Sequence, residues 1–210
     1  MTAHPGRRSP LTWAVPVALV VVTVVAVAIV VGRNDGEAPS AAPSTTAAPE
    51  PEPIEVSSDA PRFTTLDELV AASDLIVRAR VADAQPGRWF GDGSTGPRIR
   101  SRLVTLDVAE VLAGDVRSGD LGTLLVEEEG WSDEGAPLIV DGSRPSAEGD
   151  EGLWFLVDPG DDTTDALIVV NAQGRYLVAG DRLTGAEGDD PLVAELTAGS
   201  IDDLEERIAS

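Results

Sequence analysis

Leu11 to Val31 is an uncharged run built almost entirely from Val, Ala, Leu and Ile. At 1.5 Å rise per residue, about 21 residues span about 31 Å, close to the ~30 Å hydrocarbon core of a bilayer. The run predicts a transmembrane helix. Arg7 and Arg8 precede it, while Arg33 after it is followed at once by Asp35 and Glu37. That bias puts the N-terminus inside. Trp13 suits a membrane boundary, and Pro16 falls in the first turns, where a missing N–H costs least. A cleaved signal peptide is the competing reading, with Ala26-Val27-Ala28 as a small-x-small site, but a cleavable apolar region is usually about 7–15 residues. The expected layout is a single-pass cell-membrane protein. Residues 1–10 form a cytoplasmic tail, 11–31 a signal anchor, and the remainder is extracytoplasmic.

Residues 32–61 are rich in Pro, Ala, Ser, Thr and Glu, with a Pro-Glu-Pro-Glu-Pro run between Pro49 and Pro53. So little of this could enter a core that a disordered, partly polyproline spacer is expected. About 30 residues at ~3.1 Å each reach about 90 Å when extended.

The 210 residues carry a formal charge of -22, from 15 basic and 37 acidic side chains, and every basic one is Arg. Lys-free, Ala- and Val-rich composition suggests a high-GC bacterial genome, with a halophile as the other compositional reading. Such charge argues against nucleic acid as a partner, which needs a basic footprint. There is no Cys, and the single His, His4, lies in the tail. The domain therefore has no thiol chemistry, no disulfide, no His-based triad and no His-ligated metal. A Ser-Lys pair is impossible without Lys. No cofactor is expected.

Residues 62–210 suffice for one domain with a real core. Thr65-Leu66-Asp67-Glu68 fits a capping box opening a short helix. Leu75 to Val81 alternates apolar residues with Ile76, Arg78 and Arg80, as a half-buried strand does. Leu103 to Val111 is the next strand, stopped by Ala113-Gly114-Asp115. Gly122 to Glu129, Leu138 to Val140 and the continuously apolar Leu153 to Val157 follow. Ala166 to Val170 and Arg175 to Val178 predict a hairpin around Asn171-Ala172-Gln173-Gly174. Ser200 caps a C-terminal helix with Ile201, Leu204 and Ile208 on one face. The predicted fold class is mainly β: a small OB-like β-barrel with a short N-terminal and a C-terminal helix, preceded by one transmembrane helix and a disordered linker.

Three segments carry a resemblance. They are Ser73-Asp74-Leu75-Ile76-Val77-Arg78-Ala79-Arg80-Val81, the stretch from Val104 to Asp115, and Gly149-Asp150-Glu151-Gly152-Leu153-Trp154-Phe155-Leu156. Their order resembles netrin-like domains, the barrel shared with tissue inhibitors of metalloproteinases, and is similar to uncharacterised secreted or anchored bacterial proteins. The resemblance implies an OB-like barrel over roughly 73–157. It does not extend to protease inhibition. The family's inhibitors reach a metal through an N-terminal Cys, which this chain lacks, and the usual Lys of its Lys-Gly pair is Ala113.

Pro86 to Arg102 concentrates Arg88, Trp89, Phe90, Arg98, Arg100 and Arg102 in an otherwise acidic chain. Arg98, Arg100 and Arg102 share parity with Val104, Leu106 and Val108, so the strand either outruns the barrel or carries a bulge near Arg102. The loop between the first two strands of such barrels often contacts ligands, and Trp and Arg are enriched at interface hot spots. These six residues form the candidate binding site, for an acidic envelope protein or an anionic glycan. The alternative is a hairpin whose arginines pair with the domain's own carboxylates. Glu127-Glu128-Glu129, Asp158 to Asp165 and Asp189-Asp190 are read as solvated turns rather than Ca²⁺ ligands. Trp154 is expected in the core, and Trp131 is a loop aromatic without an assigned role. The expected function is a non-catalytic interaction module. A carboxylate-based or Ca²⁺-dependent envelope hydrolase, and a structural surface protein without a specific ligand, are the alternatives.

Overall fold

The computed structural model describes residues 51–94, 96–115 and 122–210. Two long strands organise this domain. β1 is Ile54–Val56, α1 Leu66–Ala71, β2 Leu75–Phe90 and β3 Ile99–Gly114. They are followed by β4 Thr123–Ser132, β5 Leu138–Val140, β6 Glu151–Val157, β7 Leu167–Val169, β8 Arg175–Ala179 and β9 Arg182–Thr184. α2, Pro191–Leu196, and α3, Ile201–Ile208, close the chain.

β2, β3 and β4 form an antiparallel meander, and β4 pairs in parallel with β7. β7 is antiparallel to β6, and β6 pairs back onto β2 from Leu75↔Leu156 to Arg80↔Glu151. The five strands thus close into a ring in the order β2-β3-β4-β7-β6. Period-two alternation sends side chains to two cores. Val77, Ala79, Val81, Val104, Leu106, Val126 and Trp154 fill the interior of the ring. Ile76, Leu153, Phe155 and Tyr176 point outward and are covered by Leu69 of α1, Leu196 of α2 and Leu204 of α3. Phe155 and Tyr176 meet edge to face, with ring centres 6.0 Å apart. β6 reads as continuously apolar because it faces a core on both sides. Gly114 ends β3 with φ +85°, where a side chain would strike the Asp74 carbonyl.

The structure corrects several expectations. Among the described residues no helix is long and apolar enough to cross a membrane. The expected anchor, Leu11 to Val31, lies outside the described residues. The transmembrane helix within the fold class, and the single-pass localisation built on it, are therefore unsupported and are not carried further. The described part is a mainly β domain with three short helices. The spacer expected over 32–61 contains a strand. Ile54–Val56 pairs in parallel with Leu138–Val140, because Ile-Glu-Val between Pro53 and Ser57 is a short β-favouring stretch with a ready edge. The Asp141 carboxylate then accepts from the Ser58 amide at 3.2 Å.

The expected hairpin around Asn171 does not form. β7 and β8 are both antiparallel to β6, on Leu156–Val157 and Gly152–Trp154 respectively, so they run the same way along one edge. A 3-10 turn, Ala172–Gly174, joins the two pieces of this interrupted strand. The expected capping box at Thr65 is displaced by one residue. Thr65 Oγ1 accepts from the Glu68 amide, but the Glu68 carboxylate accepts from the amide and hydroxyl of Thr64. At Ser200 the full box is present, with Asp203 as its partner.

Candidate functional site

Pro86 to Arg102 is a ribbon rather than a loop. β2 continues to Phe90 and β3 begins at Ile99, with Trp89↔Arg100 and Phe90↔Ile99 in register. β4 extends beside them, placing Trp131 opposite Arg100 and Ser132 opposite Ile99. Both devices proposed for the parity conflict occur. The ribbon outruns the β2–β6 pairing, which stops at Arg80, and the register shifts between Pro86 and Trp89 and between Arg100 and Ser101. At the shift Ser101 is buried and its hydroxyl donates to the Arg88 carbonyl at 3.2 Å. Gly87 lies against that hydroxyl, where any side chain would collide.

The six candidate residues separate into three environments. Trp89 is 42% exposed at the end of the arm. The guanidinium of Arg98 stands 4.6 Å and that of Arg100 5.6 Å from its ring centre. Among the described residues, the arginines in ion pairs are Arg62, Arg78, Arg88, Arg144, Arg175 and Arg207. Arg98 and Arg100 are outside that set, so among the described residues the two guanidiniums around Trp89 form no ion pair.

Arg88 and Phe90 form the second environment. The Arg88 guanidinium packs 4.8 Å from the Phe90 ring centre. It grips Glu127 at 2.8 Å and Asp161 at 2.6 Å, and donates to the Thr163 hydroxyl at 2.8 Å. Two hydrogen bonds from Thr163, its hydroxyl first and its amide second, together with Arg88, pull the Asp161 carboxyl down to about 2. Arg88 therefore follows the structural alternative: it fastens the arm to the loop after β6.

Arg102 forms the third. It turns into the end of the ring instead of standing on the rim. Its guanidinium lies 4.3 Å from the Trp131 ring centre and donates to the Ser146 carbonyl at 2.8 Å. Its Nε is buried and has no hydrogen-bond partner among the described residues. Beside it Arg175, 5% exposed, donates to Glu128 at 3.0 Å, to the hydroxyls of Ser143 and Ser146, and to the Arg144 carbonyl. Desolvation lowers the pKa of both guanidiniums, and Glu128 works against that fall.

The Glu127-Glu128-Glu129 triplet is not a solvated turn. Strand alternation sends Glu127 outward to Arg88 and Glu128 inward to Arg175. Two adjacent acids of β4 thus serve different structural roles. Among the described residues no three carboxylates converge as cation ligands. Sequence reasoning did not single out Arg175. The signal was its parity with Leu177, which faces the ring interior. A scan of protein-family models gives no match, and a search of curated proteins gives none.

Proposed function

We propose that the domain is a non-catalytic binding module whose β2–β3 arm engages an anionic partner, either a glycan bearing carboxylates or the acidic face of a protein. The observation that carries this reading is the exposed Trp89 flanked by Arg98 and Arg100 in a chain of charge -22. Planar guanidiniums suit bidentate contact with carboxylates, and stacking on an indole holds them ready for it. A large exposed aromatic beside arginine is the composition of a binding hot spot. The resemblance to netrin-like domains stands beside this as a proposal. A closed five-stranded ring supports it, and the arm joins the first two strands of that ring, where such barrels often meet ligands.

The test uses compact ligands, because the overall negative charge repels long polyanions. The full chain is titrated with a short uronate oligosaccharide and with a Glu-rich peptide. Binding of one of them, weakening as salt rises, is expected for the wild type and is lost in Trp89→Ala/Arg98→Ala/Arg100→Ala. Equal binding by the triple variant, or no binding of either ligand by the wild type, overturns the reading.

A further inference from the structure

Residues 54–62 cross the domain as an outlying segment. β1 is three residues long and forms, with β5 alone, a two-stranded sheet apart from the ring. Its ties are main-chain: the Ile54 amide donates to the Pro137 carbonyl at 2.8 Å, and the Asp141 amide donates to the Val56 carbonyl at 2.9 Å. Ile54 is 41% exposed, and none of residues 54–62 is buried. A two-stranded sheet with so little apolar burial is marginal, and segments of this kind open at low cost.

Beside β1 and β5 lies a cleft of about 660 Å³. Gly142, with φ +78°, packs so closely that a side chain would strike the Glu187 carbonyl, and the Glu187 amide donates to the Gly142 carbonyl at 2.8 Å. The turn after β5 is thereby fixed to the loop before α2, and Asp141 and Asp190 line one cleft. Their side chains are 11% and 12% exposed, and the Arg62 guanidinium lies 3.6 Å from the first and 3.3 Å from the second. Asp190 is also held by Gln173 and by the amides of Leu192 and Val193. Asp141 has no such support. Among the described residues, every hydrogen bond and ion pair of its carboxylate comes from Ser58 or Arg62. Buried charge is costly unless paired, so whichever segment lies on β5 must bring Asp141 a donor.

The chain's own segment is an imperfect match. The other charged groups of the cleft are Glu55, Glu187, Asp189 and Arg144. Asp150 holds Arg144 at 3.0 Å. Glu187 and Asp189 are exposed and form no ion pair among the described residues. Glu55 belongs to the segment itself, beside Glu52 and Asp59. With the segment lifted, Asp141, Glu187, Asp189 and Asp190 face a guanidinium that Asp150 already neutralises. A strand that keeps the charge of Arg62 and lacks these acids complements the cleft better. Carboxylates alone would not define a site; a strand edge with an extended segment seated on it does.

We infer that β5 and Asp141 form a docking site for an extended, basic segment of a partner protein, and that residues 54–62 cover it in cis. The partner adds a strand parallel to β5 and places a Lys or Arg on Asp141 and Asp190. A second copy of this chain, of charge -22, has the wrong sign. The site uses no residue of the Trp89 cluster, so it stands or falls separately from the anionic partner proposed for the arm.

The probe is a synthetic peptide of residues 52–63 carrying Glu52→Lys, Glu55→Lys and Asp59→Lys, added to the ¹⁵N-labelled full chain. It is expected to shift the amides of Ile139 and Asp141 saturably and to leave Leu106, inside the ring, unmoved. A scrambled peptide of the same composition, which reports general attraction to an acidic chain, should bind at least tenfold more weakly. Ser58→Ala/Arg62→Ala, which loosens the cis segment, should tighten the peptide at least tenfold, because a tethered competitor acts at high effective concentration. In that background Asp141→Asn should weaken it at least tenfold. If the Asp141→Asn form unfolds, the scrambled peptide and the loosened variant still decide the matter. Equal binding of the scrambled peptide, no tightening in Ser58→Ala/Arg62→Ala, or no saturable shift at Ile139 and Asp141 in either form overturns the inference.

Discussion

The two halves of the β2–β3 ribbon are held by different forces. In the lower half, Leu75 to Val81 lies opposite Leu106 to Gly114, and alternate side chains enter the ring interior or the helix-covered core. In the upper half, Pro86 to Phe90 lies opposite Ile99 to Arg102, and Ser101 is the buried residue. Arginine stacking and ion pairs replace apolar packing there. Register shifts between Val81 and Asp83 and between Pro86 and Trp89 mark the change. One continuous ribbon can thus carry stability at one end and recognition at the other. Arg88 and Arg102 of the upper half are engaged within the domain, while the exposed cluster of Trp89, Arg98 and Arg100 contributes little to stability and is free to serve a ligand, as lower-half residues are not.

The largest effect is expected in the lower half. Trp154 is 1% exposed inside the ring, so Trp154→Ala should cost about 3–5 kcal/mol in chemical denaturation. A loss under about 1 kcal/mol would show that the interior is not the main support. Glu128→Ala probes the junction of the halves. It strips the shared carboxylate from Arg175 and Arg102, and uncompensated buried charge should cost about 3 kcal/mol. A neutral outcome would mean that hydroxyls and the Arg144 carbonyl satisfy Arg175 without it.

A third experiment follows the tie between arm and loop with pH. The folded carboxyl of Asp161 is depressed from an ordinary 3.8 to about 2. Its contribution is therefore fully present above about pH 4 and is lost as pH falls through about 2. Carboxyl ¹³C shifts should place the midpoint near 2 in the wild type and higher in Thr163→Ala, because Thr163 is the leading cause. A midpoint that stays put in Thr163→Ala would assign the depression to the residue-163 amide and Arg88 instead of the hydroxyl.

Much of the lower half was legible in the sequence. Period-two alternation located the start of β2 and the body of β3, and Ser200 located α3. α2 was missed, although Asp190 before Pro191 is an N-cap followed by the residue best suited to the first helical turn. The upper half was legible as composition but not as geometry. Gly and Arg in Pro86 to Arg102 suggested a loop, because no apolar period marks strands held by stacking and ion pairs. The split of Arg88, Arg100 and Arg102 into three environments depends on bulges, which single residue types do not encode. The interrupted β7–β8 edge was hidden for a similar reason: Asn-Ala-Gln-Gly suits a reversal and a 3-10 turn alike, and pairing with β6 decides between them.

The central claim is that the arm is separable from the fold. Its most direct test is chemical denaturation of Trp89→Ala/Arg98→Ala/Arg100→Ala beside the uronate and Glu-peptide titrations. Each of these exposed or half-exposed positions should change stability by no more than about 0.5 kcal/mol, while binding is lost. A loss of stability approaching that of Trp154→Ala, or binding that survives the three substitutions, would contradict the account.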